Sequence, residues 1–207
     1  RGIVDGLAER GWKDGEKIKI DRQNAQADQS NLRNIATRFV SDKDRIIFAV
    51  ATPAAQSMAT AARDTPIVAT AITDFVSAKL VKSDEAPGGN VTGVSDLGPI
   101  EEQFKLLMKL VPNAKTIGTI YNSSEINSAY QVELLKAAAK KAGITVLEAT
   151  VSNVNDIQQA ANSLIGKVDG LYLPTDNVIA SAVPALVKVT NPAKIPTVAG
   201  EIGMVSN

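Results

Sequence analysis

The 207-residue chain is 44% hydrophobic and 21% charged, and its 22 basic side chains balance its 22 acidic ones. A net charge of zero with scattered basic residues gives no electrostatic footprint for nucleic acid. The chain has no Cys and no His, which excludes disulfides, zinc sites built from thiolates or imidazoles, and catalysis by a Cys or His nucleophile. No cofactor and no metal are predicted, and no apolar run approaches the ~20 residues of a membrane span.

The first half of the chain alternates between helix and strand patterns. An apolar stripe at helical spacing begins it and ends at Gly11, which can cap the helix. The segment "KIKID" (Lys17–Asp21) alternates like an exposed strand, and Asp28 or Ser30 can cap a helix that runs to residue 40. "RIIFAV" (Arg45–Val50) is continuously apolar, which predicts a strand covered on both faces. The next elements are a helix at 53–63 and strands at 66–72 and 91–96.

The alternation restarts after a break near residues 90–99. It predicts helices at 101–110, 125–142, 155–165 and 178–189 and strands at 116–121, 144–151, 170–174 and 195–200. The apolar stripe of the second of these helices consists of Ile126, Tyr130, Leu134 and Ala138, and Pro184 interrupts the last one. Strands that alternate with helices of ~10–15 residues indicate βαβ units. We therefore predict an α/β fold with two Rossmann-like lobes, residues 1–97 and 98–207, each a parallel sheet flanked by helices.

The turns that follow the strands are where a ligand is expected, because open parallel sheets bind ligands beyond the carboxyl ends of their strands. Two such turns come from the first predicted lobe and three from the second. Their residues are small, polar and lightly acidic. The turns are Ala51-Thr52-Pro53, Thr73-Asp74, Tyr121–Glu125, Pro174–Asn177 and Gly200-Glu201.

The turn at Thr52 is interpreted as a helix N-terminus, with Thr52 as the N-cap and Pro53 as the first helical residue. Pro53 has no N–H, so Ala54 and Ala55 supply the nearest free donors. Their methyl side chains let an anion approach closely, and the helix dipole favours it. The turn is a candidate seat for a carboxylate. It is a poor phosphate loop, because it has neither a Gly-rich run nor a Walker-type lysine.

Asp74 and Asp176 each follow a buried strand, and each has two interpretations. Asp176 can simply cap the helix that begins near Val178, and capping is the more ordinary role for both acids. Alternatively, the two acids lie in facing lobes and hold a ligand ammonium. Glu125 lies in the first turn of its helix, where the dipole favours a carboxylate without any ligand.

The remaining candidate residues of the strand-end turns are amides, one aromatic side chain and one acid. Asn122, Asn127 and Asn177 can both donate and accept hydrogen bonds, which suits a zwitterionic or amide ligand. Tyr121 is the last strand residue before its turn and is the aromatic residue predicted to line a cleft. Glu201 ends the last strand and is either a ligand contact or a solvated loop acid.

A family resemblance rests on six segments that occur in order over most of the chain. They are "GLAERGWKDGEKIKID" (Gly6–Asp21), "FAVATPAAQ" (Phe48–Gln56), "PIVATAITDFVSAKLV" (Pro66–Val81), "GGNVTGVSD" (Gly88–Asp96), "YNSSEINS" (Tyr121–Ser128) and "LPTDNVIASA" (Leu173–Ala182). In these segments the chain resembles substrate-binding proteins of bacterial ABC transporters, and more narrowly the tryptophan/tyrosine type. The resemblance implies a type I periplasmic-binding-protein fold and an extracytoplasmic or lipid-anchored protein. It also implies delivery of an aromatic amino acid or similar solute to a permease in the membrane.

Carried over by position, the resemblance implies a cleft whose two walls come from the two lobes. In related amino-acid binders, a helix N-terminus and hydroxyls hold the ligand carboxylate, and acids of the second lobe hold its ammonium. The first-lobe wall would contain Thr52, Ala54, Ala55, Thr73 and Asp74. The second-lobe wall would contain Asn122, Glu125, Asn127, Asp176 and Glu201.

The chain departs from the family pattern at both ends. The first strand of the first lobe and the lipoprotein Cys are absent, and the chain stops at Asn207, where family members continue through a helix and a strand that return to the first lobe. We expect a chain truncated at both ends.

The leading hypothesis is a solute-binding module, not an enzyme, that closes on a small molecule by hinge bending. One alternative is a ligand-sensing effector domain of the same fold, which a preceding helix-turn-helix would indicate. A less favoured alternative is a hydrolase that pairs Asp74 with Asp176, which would need carboxyl groups roughly 5–9.5 Å apart.

Overall fold

The computed structural model describes residues 2–205 and contains two separate parallel sheets. The first has three strands, β1 (Ile47–Val50), β2 (Ile67–Ile72) and β3 (Val91–Ser95), in the order β1-β2-β3. The second has four strands in the order β5-β4-β6-β7. Their bounds are Thr116–Asn122 for β4, Thr145–Val151 for β5, Gly170–Leu173 for β6 and Thr197–Ala199 for β7.

Helices precede and follow these strands. They are α1 (Gly2–Glu9), α2 (Gln29–Ser41), α3 (Thr52–Ala61), α4 (Ile100–Leu110), α5 (Ile126–Lys141), α6 (Ile157–Leu164), α7 (Asn177–Ser181) and α8 (Val183–Thr190). The interruption predicted at Pro184 is the break between α7 and α8, where Pro184 lies in the first turn of α8. Asp28 rather than Ser30 caps α2, since its carboxylate accepts the Asn31 N–H at 2.8 Å. No helix within residues 2–205 is long and apolar enough to cross a membrane.

Each sheet has its own hydrophobic core. The first core joins β1 and β2 to α2 and α3, through residues such as Ile67 and Met58. The second sheet is covered on both faces, by α4 and α5 on one side and by α6, α7 and α8 on the other. We call the three-stranded sheet with α2 and α3 the first lobe, and the four-stranded sheet with α4 to α8 the second lobe. The boundary at residues 97 and 98 stays a prediction.

Two contacts between the lobes are found among the described residues. Ile126, the first residue of α5, packs against the core of the first lobe, and Ala27, just before α2, packs against the core of the second. Because α5 follows the carboxyl end of β4, the first contact brings the carboxyl edge of the second sheet against the first lobe. The edge at which parallel sheets bind ligands is therefore turned inward.

The predicted strand at Lys17–Asp21 is wrong. Its only sheet-like feature is an isolated bridge between Asp14 and Ile18. The Asp14 carboxylate accepts the Ile20 N–H at 2.8 Å, so the segment folds back on a local loop. An alternating pattern forms a strand only when a partner strand is available.

The prediction that β1 is covered on both faces is also wrong. Ile47 and Ala49 are buried in the first core, whereas Phe48 and Val50 are exposed, Val50 by 56%. β1 is an edge strand, and α2 and α3 cover only one face of its sheet. A continuous apolar run therefore did not distinguish one covered face from two.

Candidate functional site

The turn between β1 and α3 is sharper than the sequence predicted. Ala51, not Thr52, is the N-cap residue, and it has φ +76° and ψ 152°, a strained region for a residue with a side chain. The predicted cap by Thr52 is wrong, because Thr52 is already helical and α3 has no side-chain cap. The positive φ of Ala51 turns the chain from strand to helix within one residue. It leaves the Thr52 side chain free for another role.

The hydroxyl of Thr52 has no hydrogen-bond partner within the described part of the chain. Thr52 is only 2% exposed, so its Oγ1 is also shielded from solvent. Leaving a buried polar group unpaired costs about 1–3 kcal/mol. Because the unpaired Thr52 hydroxyl is destabilising and lies at the carboxyl end of a strand, we infer that a ligand supplies its hydrogen-bond partner.

The backbone N–H groups at the start of α3 differ from the prediction in one respect. The Ala55 N–H donates to the Ala51 carbonyl at 3.1 Å, so Ala55 is not a free donor. This happens because the helix begins one residue earlier than expected. Among residues 2–205, the N–H groups of Thr52 and Ala54 have no protein acceptor. Together with the Thr52 hydroxyl they form a candidate anion-binding site with three hydrogen-bond donors at a helix N-terminus.

The turn after β2 holds Thr73 and Asp74. Thr73 is buried and Asp74 is half-buried. One Asp74 carboxylate oxygen accepts the Ser77 N–H at 2.6 Å, and the Asp74 carbonyl accepts the Ala78 N–H. Asp74 therefore caps the turn that follows it, as the more ordinary interpretation held. Contact of either residue with a ligand stays a prediction.

Asp176 joins two elements of the second lobe. It is fully buried, and its Oδ1 accepts the Ile179 N–H at 2.9 Å while its Oδ2 accepts the Asn122 N–H at 2.7 Å. It thus caps α7 and ties it to the end of β4. Both oxygens of its carboxylate are used within the fold, and the alternative contact with a ligand ammonium stays a prediction. Asp74 and Asp176 are each held in separate caps, which also leaves the proposed hydrolase pair without support.

Glu125 is a second buried carboxylate at the same edge. It is 2% exposed and is the N-cap residue of α5. Its Oε2 accepts the side-chain amide and the backbone N–H of Asn177 at 2.6 and 3.1 Å, and its Oε1 accepts the Val178 N–H at 3.3 Å. Burial raises the pKa of Glu125, and the nearby charge of Asp176 raises it further. Glu125 therefore holds the starts of α5 and α7 together.

Protonation of Glu125 is expected to stabilise the fold. Above the ordinary pKa of 4.5, the folded protein keeps this proton while the unfolded chain loses it. The contribution of Glu125 to the unfolding free energy therefore falls as pH rises through the folded-state pKa, by up to about 1.4 kcal/mol per pH unit. Glu125→Gln should remove this dependence of the unfolding free energy on pH. In urea-unfolding experiments from pH 4.5 to 8, the unfolding free energy of the variant should therefore rise relative to that of the wild type. Exposed Glu102→Gln is the control, and equal slopes for both variants would contradict the assignment.

Side chains of α5 form hydrogen bonds with the turn after β6. Gln131 accepts the Thr175 N–H at 3.1 Å and donates to its carbonyl at 3.3 Å, and Asn127 Nδ2 donates to the same carbonyl at 3.0 Å. Ser128 also contacts this carbonyl. The predicted apolar stripe of α5 flanks the most buried face: Ala138 is buried and Leu134 and Ile126 pack against the cores, but the most buried face begins with polar residues. Gln131 and Ser128 were not predicted; Gln131 lies one helical turn after Asn127, which was the available signal, and no comparable signal marked Ser128.

Asn127 has an acceptor without a partner. It is 4% exposed, and within the described part of the chain its Oδ1 receives no hydrogen bond. The neighbours of its Nδ2 are oxygens of Glu125, Ser128 and Thr175, so exchanging the oxygen and nitrogen would place oxygen against oxygen. The free Oδ1 can only accept a hydrogen bond. It lies next to Ile126, which contacts the first lobe.

The hydroxyl of Tyr121 is bonded within the second lobe, and contact of Tyr121 with a ligand stays a prediction. Its hydroxyl donates to Glu148 Oε2 at 2.8 Å, and Lys136 contacts the other oxygen of Glu148 at 2.9 Å. Glu148 pairs with Thr119, two residues before Tyr121, so the hydroxyl is turned back from the carboxyl end of β4. Burial, followed by the Glu148 hydrogen bond, raises the pKa of Tyr121 to about 12.

Asn122 and Glu201 complete the predicted set. Asn122 is buried, and its Oδ1 accepts the backbone N–H and the hydroxyl of Ser124 at 2.9 and 2.8 Å. It shapes the turn after β4. Glu201 is exposed at the start of a short 3-10 helix (Ile202–Met204), and its contact with a ligand stays a prediction.

The polar atoms that lack hydrogen-bond partners determine which charged groups the site can bind. Within residues 2–205 three buried side-chain atoms have none: Thr52 Oγ1, Asn127 Oδ1 and Thr119 Oγ1. Thr119 lies inside β4, three residues before its end. The other two lie at the carboxyl edges of opposite lobes and offer a donor for an anion and an acceptor for a cation. No group of three or more carboxylates in the described chain is placed to hold a metal ion.

Comparison with known proteins agrees with this architecture. The sequence model of the family "ABC transporter substrate binding protein" matches residues 1–207. A tyrosine-binding protein of Clostridioides difficile (strain R20291) is 49% identical over 207 residues, which are 100% of this chain and 60% of that protein. The chain thus spans 60% of the length of this curated relative.

Two solved structures are similarly related to this chain in sequence, but only one of them matches it closely in shape. The ABC domain in complex with L-Trp from Streptococcus pneumonia is 45% identical with a TM-score of 0.94, and the match covers 99% of this chain and 69% of that chain. The ligand-free, open structure of a substrate-binding protein with adhesive properties from Clostridium difficile is 47% identical with the same coverage, but its TM-score is 0.63. Because identity and coverage are so similar, we attribute the difference to how the lobes are arranged. The lobes here are arranged as in the L-Trp complex. The predicted type I fold is confirmed.

Proposed function

Because this chain belongs to the family of ABC transporter substrate-binding proteins, we propose that it binds an aromatic amino acid between its lobes for an ABC importer. In this role it works outside the cytoplasm, at the membrane surface or in the periplasm, and passes its ligand to a membrane permease. The main observation in support is a pair of buried atoms, Thr52 Oγ1 and Asn127 Oδ1, one in each lobe, that have no hydrogen-bond partner among residues 2–205. Binding needs no chemical step, because pre-placed polar groups select the ligand.

The ligand carboxylate binds at the start of α3. Thr52 Oγ1 and the N–H groups of Thr52 and Ala54 donate to it, and the dipole of this 10-residue helix adds to the attraction. The small side chain of Ala54 leaves room for the carboxylate to approach. The Ala55 N–H, which sequence analysis included, has no part in this seat because it bonds within the helix.

The ligand ammonium binds at the start of α5. Asn127 Oδ1 accepts from it, and the Asn127 amide is held in place by Thr175 and Glu125. Glu125 accepts from the Asn127 amide and Asp176 caps the neighbouring helix α7. These buried acids therefore position the polar groups of the second lobe instead of touching the ammonium. Thr73, Asp74 and Glu201 remain candidate contacts for the rest of the ligand.

The aromatic class of the ligand is supported by two relatives. One relative at 49% identity is a tyrosine-binding protein, and L-Trp occupies a structure at 45% identity. The arrangement of the lobes matches that complex rather than the ligand-free, open structure. A zwitterion that bridges the lobes would stabilise this closed arrangement, since it binds the open one more weakly.

A calorimetric and thermal-unfolding screen of the twenty amino acids against the full-length protein tests this function. We expect L-Trp or L-Tyr to bind most tightly and to raise the unfolding free energy by about 2.7 kcal/mol at a free concentration a hundred times the dissociation constant. Tryptamine and indole-3-propionate, which lack the carboxylate and the ammonium respectively, should each bind far more weakly than L-Trp. Absence of any stabilisation by amino acids would contradict the proposal.

A further inference from the structure

An open groove runs between α4 and α5 on the outer face of the second lobe. It encloses about 670 Å³ and is separate from Thr52 and Asn127. Its floor is apolar and consists of Phe104, Met108, Pro112, Ala138 and Ala142. Phe104 and Ala138 belong to the core of the second lobe, so this floor is rigidly supported.

The rim of the groove carries an excess of positive charge. Lys105, Lys109 and Lys141 line it together with a single acid, Glu101. Lys105 pairs with Glu101 at 3.1 Å, and among residues 2–205 no ion pair includes Lys109 or Lys141. Lys141 acts on Glu101 only through its charge, so three lysines and one acid give the rim a net charge of +2 in a chain whose net charge is zero.

The length and spacing of the groove fit a helix. Its α4 side is lined from Glu101 to Pro112, and α4 rises about 16 Å over its 11 residues. Lys105 and Lys109 are one helical turn apart along α4, and Lys141 lies across the groove at the end of α5, so acids on a partner helix can reach the rim from the groove. We propose that this groove binds an acidic amphipathic helix of a partner protein, with apolar residues on the floor and carboxylates at the lysines. The proposal does not rest on the identity of the solute.

Two designed peptides probe the groove in the full-length protein. Both are 18-residue helices with the same apolar stripe, and one carries Glu pairs at i, i+4 where the other carries Lys pairs. We expect the acidic peptide to bind at least tenfold more tightly than the basic one, and to lose affinity as salt is raised. The double variant Lys109→Glu/Lys141→Glu should weaken the acidic peptide at least tenfold. The matched control, Lys167→Glu/Lys188→Glu, replaces exposed lysines elsewhere and should change nothing.

A second variant tests the floor independently of the charges. Met108→Glu should also weaken the acidic peptide at least tenfold, while thermal unfolding confirms that each variant is folded. Equal binding of both peptides, or an unchanged affinity in the lysine variant, would overturn the proposal. So would any sign of another occupant: lysine-dependent binding to phosphatidylglycerol vesicles, a lysine-dependent dimer in sedimentation, or protection of Lys109 and Lys141 from acetylation in the isolated full-length protein.

Discussion

Replacing Thr52 by valine is expected to weaken binding of the aromatic amino acid by about 10- to 100-fold, because a hydrogen bond to a charged group is worth about 1.5–3 kcal/mol. Valine keeps the shape of threonine and removes only the hydroxyl. In the ligand-free protein this hydroxyl has no partner within the described residues. Its loss should therefore leave the unfolding free energy of the ligand-free protein unchanged or slightly raised. Calorimetric titration and urea unfolding of the full-length variant measure the two quantities.

Thr60→Val is the matched control for Thr52→Val. Thr60 lies on the same helix, but it is exposed and its hydroxyl donates to the Gln56 carbonyl at 2.8 Å. The control should leave affinity unchanged. If Thr52→Val keeps full affinity, or loses affinity only in proportion to a loss of stability, the carboxylate does not bind at the start of α3.

Replacing Asp176 by alanine is expected to lower the unfolding free energy by about 3 kcal/mol. The change leaves the buried N–H groups of Asn122 and Ile179 without acceptors, and each unpaired group costs about 1–3 kcal/mol. The loss of the cap on α7 is part of this cost. Equilibrium urea unfolding of the ligand-free protein measures it.

Asp74→Ala is the matched control for Asp176→Ala. Asp74 also follows a buried strand, but it is half-buried and its carboxylate accepts only the Ser77 N–H. We expect a loss of about 1 kcal/mol, as for an ordinary cap. Equal losses for the two variants would show that burial and the bond to β4 do not give Asp176 its larger role.

The fold was predictable because its signals are local. Alternating helices and strands, the break before α4 and the interruption at Pro184 all follow from periodicity and backbone chemistry over a few residues. The capping role of Asp176 was also predictable, since an acid between a strand and a helix usually caps. Its second bond, to Asn122, was not, because it joins residues 54 positions apart.

The errors at the site have particular physical causes. Ala51 adopts a positive φ that alanine seldom adopts, so nothing in the sequence marked it as the N-cap of α3. The buried face of α5 carries Asn127 and Gln131 because they hold the Thr175 turn, a contact made after distant segments come together. The apolar stripe therefore predicted the adjacent face of α5, whose residues are half-buried apart from the buried Ala138. Tyr121 was placed at the edge by its position in the chain, but its hydroxyl is held by Glu148 on the neighbouring strand.

In the proposed function, the arrangement of the lobes would couple ligand binding to ligand release. Ile126 carries the start of α5 against the first lobe, and Asn127 follows it directly. An amino acid held by Thr52 on one side and Asn127 on the other would join the lobes at this contact. Release to a permease would then require the lobes to separate, because separation removes one half of the polar contacts.

A crystal structure of the full-length protein with L-Trp or L-Tyr tests the central claim most directly. We expect the ligand between the lobes, with a carboxylate oxygen at hydrogen-bond distance from Thr52 Oγ1 and the ammonium at the same distance from Asn127 Oδ1. A ligand bound elsewhere, or one in the cleft that leaves both of these atoms without a partner, would contradict the claim.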